Sequence, residues 1–170
     1  MKRLLFATVL LLILTPGAVL AGTNIQAPGK FGAGLQLGYP HNGLSFNYFI
    51  ASAASIQVDA SVWLKNDWNG FGVRADLLWW QSPLATPGFA DVVWYFGPGV
   101  NLFSFTWKGK GENDGYVGIG AEFPVGIGLQ FKKVPIDLNL EGVPVLHVIG
   151  SGGINLDFDV AGLINGRYYF

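Results

Sequence analysis

From about residue 30 onward, hydrophobic and polar positions alternate along the chain with a period of two. The longest run is Tyr116–Phe131, YVGIGAEFPVGIGLQF. Its odd positions are Val117, Ile119, Ala121, Phe123, Val125, Ile127, Leu129 and Phe131. Its even positions are Gly118, Gly120, Glu122, Pro124, Gly126, Gly128 and Gln130. Strict alternation predicts a β-strand with one oily face and one glycine-rich, polar face. At ~3.3 Å per residue such a strand reaches about 50 Å, enough to cross a bilayer obliquely. Seven further stretches repeat the pattern: Lys30–Gly38, Leu44–Ile50, Ser55–Leu64, Phe71–Trp80, Val92–Phe103, Val134–Leu146 and Ile154–Phe170.

Eight strands is an even number, as single-chain outer-membrane barrels require. The predicted fold is therefore all-β, an eight-stranded antiparallel up-and-down transmembrane β-barrel with its apolar faces toward lipid. The sheet has to close, because an open edge in hydrocarbon leaves backbone groups unpaired at several kcal/mol each. Between the strands, Tyr39–Gly43, Lys65–Gly70, Gln81–Asp91, Thr106–Gly115 and Gly150–Gly153 carry turn and loop chemistry. Pro98, Pro124, Pro135 and Pro144 each remove one ladder donor, so bulges or weakened pairing are expected there. Trp63, Trp79, Trp80, Trp94, Tyr116, Tyr168 and Phe170 lie near strand ends, where interfacial aromatic girdles belong.

The first residues change the setting. Lys2 and Arg3 precede an apolar run, Leu4–Leu14, and Val19-Leu20-Ala21 follows a Pro-Gly break. This reads as a secretory signal peptide, residues 1–21, cleaved between Ala21 and Gly22, with the barrel domain at 22–170. Eleven apolar residues are too few for a membrane-spanning helix. Without the two signal-peptide cations, the 10 basic residues fall to 8 against 11 acidic, a net charge of −3. That balance gives no reason to expect a nucleic-acid partner. Cysteine is absent, which excludes disulfides and thiol-ligated metals. Aromatic residues at 15% and charged residues at 12% suit a membrane barrel better than a soluble secreted domain. A monomer without cofactor is expected.

Parity places Asp59, Arg74, Asp76, Glu122, Asp137, Glu141, Asp157, Asp159 and Arg167 on the inner face. Phe49, Trp63, Trp80, Tyr95, Phe103 and Tyr169 are there to fill it, since eight strands enclose a space about wide enough for side chains. Hairpin spacing sets Asp76 roughly opposite Asp59 with Arg74 diagonal, and Arg167 diagonal to Asp137. These five residues are expected to form two interior ion-pair clusters. An excess of acids inside also admits a narrow, cation-favouring path. The two histidines, His41 and His147, fall near outward connections and with Ser151 compose a hydrolase-like set at one rim. Glu112-Asn-Asp114 lacks the regular ligand spacing of a calcium loop and reads as a solvated tip.

The chain ends in Gly166-Arg-Tyr-Tyr-Phe170. An aromatic last residue, Phe170, with another aromatic, Tyr168, two before it resembles the signal read by the outer-membrane assembly machinery; Asn165 stands where that signal usually has glycine. With the strand pattern, this ending resembles the small eight-stranded outer-membrane barrels of the OmpA-transmembrane, OmpX and OmpW-like class. More narrowly, Gly43–Phe49, GLSFNYF, and Pro124–Phe131, PVGIGLQF, look like a single-barrel family without assigned activity. The resemblance implies outer-membrane lipid and the assembly machinery as partners, and no catalytic residues. The expected role is structural or surface-interacting, with a side-chain-filled lumen. An OmpW-like channel for a small solute is the alternative, and a lipid-modifying enzyme a third reading.

Overall fold

A computed structural model describes residues 27–39, 41–64, 68–108, 113–150 and 154–170. The expected cleavage site at Ala21 and Gly22, and also Glu112 and Ser151, lie outside the described residues. The described residues form ten strands: β1 Phe31–Tyr39, β2 Asn42–Ala51, β3 Ala54–Leu64, β4 Trp68–Ala85, β5 Ala90–Phe96, β6 Gly99–Lys108, β7 Asn113–Glu122, β8 Val125–Phe131, β9 Ile136–Gly150 and β10 Ile154–Tyr169. All pairings are antiparallel, and every strand has a ladder on both sides. The β9–β10 and β10–β1 ladders carry the succession back to its start.

Two of the eight expected strands are each broken in two. Val92–Phe103 divides at Gly97-Pro98 into β5 and β6, and Tyr116–Phe131 divides at Phe123-Pro124 into β7 and β8. Proline has no N–H to give the ladder, so pairing stops there. The breaks are adjacent in space, and the proline carbonyls keep the sheet together. Pro98 O accepts from Leu77 N at 2.9 Å, Pro124 O from Gly97 N at 3.2 Å, and Pro144 O from Phe123 N at 3.1 Å. β4 and β9 run past both breaks, holding a β5–β8 tier at one end and a β6–β7 tier at the other. The end carrying Phe31 and Phe170 is called the near end below, and the opposite one the far end.

The stretch 81–91 is not the long loop expected. β4 continues to Ala85 and β5 begins at Ala90, leaving a four-residue connection. Gln81 pairs with Trp94 and Ala85 with Val92, so β4 carries two extra residues in a bulge that contains Pro83. Trp79 also departs from expectation. It has outward parity yet is only 9% exposed, because it faces Phe96 across the ladder with ring centroids 6.1 Å apart.

The inner face has its apolar core at the near end: Phe49, Leu78, Trp80, Val93, Tyr95 and Tyr169. Trp80 sits 4.3 Å from the Tyr95 ring centroid and 5.3 Å from that of Phe49. Interior rings lie over glycines directly across the ladder, as in Tyr169 on Gly32, Tyr95 on Gly126, Phe103 on Gly118 and Trp63 on Gly70. A Cβ at Gly32 would stand 2.7 Å from the Tyr169 ring, so only glycine leaves the ring its place.

A charged interior network beneath a far-end cavity

Strand parity sends Asp59 (β3), Arg74 and Asp76 (β4), Asp137 and Glu141 (β9) and Arg167 (β10) to the inside, where each is buried. The pairing register differs from the expected one. Arg74 lies directly opposite Asp59, with Asp76 opposite Gln57, and Arg167 lies directly opposite Asp137. The β3–β4 connection is tighter than the polar stretch suggested, since pairing already reaches Leu64 and Asn69. That closes the hairpin two residues earlier and brings the guanidinium onto the carboxylate.

Arg74 Nε donates to Asp59 Oδ2 at 2.6 Å and Nη2 donates to Glu141 Oε2. Asp76 and Glu122 stand 3.4 and 3.9 Å from Nε. Arg167 grips Asp137 with two donors, Nε at 3.1 Å and Nη2 at 2.9 Å. These are not two separate clusters. Gln57 joins them, accepting from Arg167 Nη1 through its carbonyl and donating from Nε2 to Asp59 at 2.9 Å and Glu141 at 3.0 Å. Tyr95 donates to Glu141 at 2.6 Å and Tyr169 to Asp137 at 2.7 Å, while Asn47 donates to the Tyr169 hydroxyl at 3.1 Å. Buried charges survive only when paired and hydrogen-bonded, and a connected network supplies both. Parity places Gln57, Tyr95 and Tyr169 inside, but nothing in their spacing marks them as the links.

Above the network, at the far end, the interior is open. A cavity of about 280 Å³ has Arg74, Asn101 and Glu122 at its base. Its walls are largely apolar, among them Trp63, Phe103 and the cluster Val143, Val145, Ala161 and Leu163. From Val143 to Leu146 both faces of β9 are apolar, which hid these inward valines from the period-two pattern. Asp157 and Asp159 line the same cavity but are exposed.

Both histidines border the cavity. His41 Nδ1 lies 3.1 Å from Ser61 Oγ, and its ring meets Trp63 edge-on at 5.2 Å. Burial, with the Arg74 charge adding to it, lowers the His41 pKa to about 4. Ser61 Oγ in turn donates to the Gly72 carbonyl at 3.4 Å. His147 stands edge-on to Phe103 at 4.9 Å. Tyr168 and Phe170 project outward, with their rings 5.1 Å apart. Among the described residues, no three His, Asp or Glu side chains gather to hold a metal ion.

No family model and no curated protein matches the chain. Among solved structures, Ail, the attachment invasion locus protein of Yersinia pestis, aligns over 82% of this chain and 92% of its own at 12% identity and a TM-score of 0.34. The functional reading below rests on the geometry of the chain itself.

Proposed function

We propose that the protein is an integral outer-membrane β-barrel of a double-membraned bacterium, exported with a cleaved signal and inserted as a monomer by the outer-membrane assembly machinery. One observation carries the reading: burial is inverted. Leu35 is 61% exposed, Val117 60% and Phe158 67%, while Asp59, Glu141 and Arg167 are each 1% exposed. In water the outer face is costly, since large contiguous apolar surface is rarely left exposed. In hydrocarbon the outer face is at home, and a ring of ladders leaves no backbone edge unpaired.

With the near end toward the periplasm, the far ends of β3, β4, β6 and β7 face the cell exterior. The polar sequence between those strands supports a surface-interaction role. A conducting pore is the less favoured reading, because Trp80, Tyr95 and Tyr169 are packed across the near end with essentially no exposure.

The test is gel mobility of the protein from the outer-membrane fraction, with and without boiling in detergent. A mobility shift on boiling is the expected result. Recovery as a soluble periplasmic protein with no shift overturns the membrane assignment.

A further inference from the structure

We propose that the far-end cavity binds a small amphipathic amine, its ammonium on the floor at Glu122 and Asn101 and its apolar body against the walls. The first support is a set of polar atoms without protein partners. Glu122 Oε1, Asn101 Oδ1, Arg74 Nη1, Trp63 Nε1 and His147 Nδ1 are all buried without a hydrogen bond, Glu122 Oε1 standing 3.9 Å from Arg74 Nε, and all belong to residues that line this one cavity. Glu122, Arg74 and Trp63 are each more than nine-tenths buried. Buried polar groups in native proteins are nearly always satisfied, and around this open space an occupant has room to satisfy them.

Charge selects the occupant. Arg74 is the floor's single guanidinium, and Asp59, Asp76, Glu122 and Glu141 all stand within 3.9 Å of it. Asp157 and Asp159 add two more acids above. Asn101 Nδ2 donates to Glu122 Oε2 at 2.7 Å, which fixes the carboxylate and leaves Glu122 Oε1 and Asn101 Oδ1 without a hydrogen bond of their own. Two acceptors in a strongly electronegative site suit a primary ammonium and repel a carboxylate. Trp63 and Phe103 line the cavity, and aromatic rings suit a cation and its alkyl or aryl body. A volume of about 280 Å³ lies at the lower limit for small-molecule sites, roughly 300–1,000 Å³. A hydroxyl or carbonyl on the ligand would meet the remaining donors, Arg74 Nη1 and Trp63 Nε1.

The binding claim, tested in vesicles, rests on the membrane assignment, which the mobility shift of the same refolded protein on boiling checks separately. Protein refolded in vesicles of uncharged-headgroup phospholipid is titrated calorimetrically with n-hexylammonium, hexanol and hexanoate, with protein-free vesicles as the blank. Hexylammonium is expected to bind saturably, and the other two at least about tenfold more weakly, as one charge-assisted hydrogen bond implies. Glu122→Gln should weaken hexylammonium by about tenfold and leave hexanol unchanged. Val145→Phe, which fills the cavity without touching a charge, should abolish binding and serves in place of Glu122→Gln if that variant does not refold. No saturable heat, equal binding of hexanoate, or undiminished binding by the refolded variants overturns the proposal and leaves a water-filled space.

Discussion

Replacing Arg74 by methionine tests the interior network at its most connected point. The substitution keeps an unbranched apolar stem and removes the cation that Asp59 and Glu141 touch and that Asp76 and Glu122 approach within 3.9 Å. Removing one partner of a buried ion pair costs about 3–5 kcal/mol. A second route gives the same size. A carboxyl group with an ordinary value near 4 that must be neutral at pH 7 costs roughly 4 kcal/mol, at about 1.36 kcal/mol per unit. Urea unfolding of the refolded protein in vesicles, followed by tryptophan fluorescence, should therefore show Arg74→Met less stable by about 3–5 kcal/mol at pH 7. At pH 4.5 neutralising a carboxyl is nearly free, so the deficit should fall to about 1 kcal/mol. Adding Asp59→Asn and Glu141→Gln should recover most of the loss at pH 7. A deficit below about 1 kcal/mol at pH 7 would refute the reasoning. One that is the same at pH 4.5 would show that packing, not charge, was lost.

Three other expectations concern different parts of the molecule. Leu35→Arg, mid-strand on the outer face, should cost about 2–4 kcal/mol in vesicles; a change within about 0.5 kcal/mol, as for a water-exposed surface site, would contradict lipid contact. Gly126→Val puts a side chain where the Tyr95 ring lies and should destabilise by about 1–3 kcal/mol; combining it with Tyr95→Ala should remove most of that strain in the same urea assay. His41 lies in the connection between β1 and β2, and its pKa of about 4 is below the unfolded value of 6.5. The unfolded chain therefore takes up the proton first, and stability should decline as pH falls from about 6.5 to about 4. Comparing His41→Gln with the parent chain across that window should show a flatter slope, and identical slopes would contradict the assignment.

Much of this arrangement is written in a repeating pattern of two. Period-two alternation located the elements, assigned the apolar side chains to one face and Asp59, Arg74, Asp137, Glu141 and Arg167 to the other, and marked Pro98 and Pro124 as weak points. Those properties are local, because a side chain's face follows from its place in its own strand. Which groups meet across strands is not local. One pair of residues gained or lost in a turn slides every partner, which is why Arg74 faces Asp59 squarely and Gln57 turns two expected clusters into a single network. The same holds for the proline breaks, whose alignment through the Gly97–Pro124 hydrogen bond makes two tiers of one sheet. The far-end cavity depends on even more distant coincidence, with Trp63, Asn101, Glu122 and Val145 arriving from four different strands. Sequence alone determined the strands and their two faces; register and closure, set by turns and tertiary packing, decided which charges pair and where an open space remains.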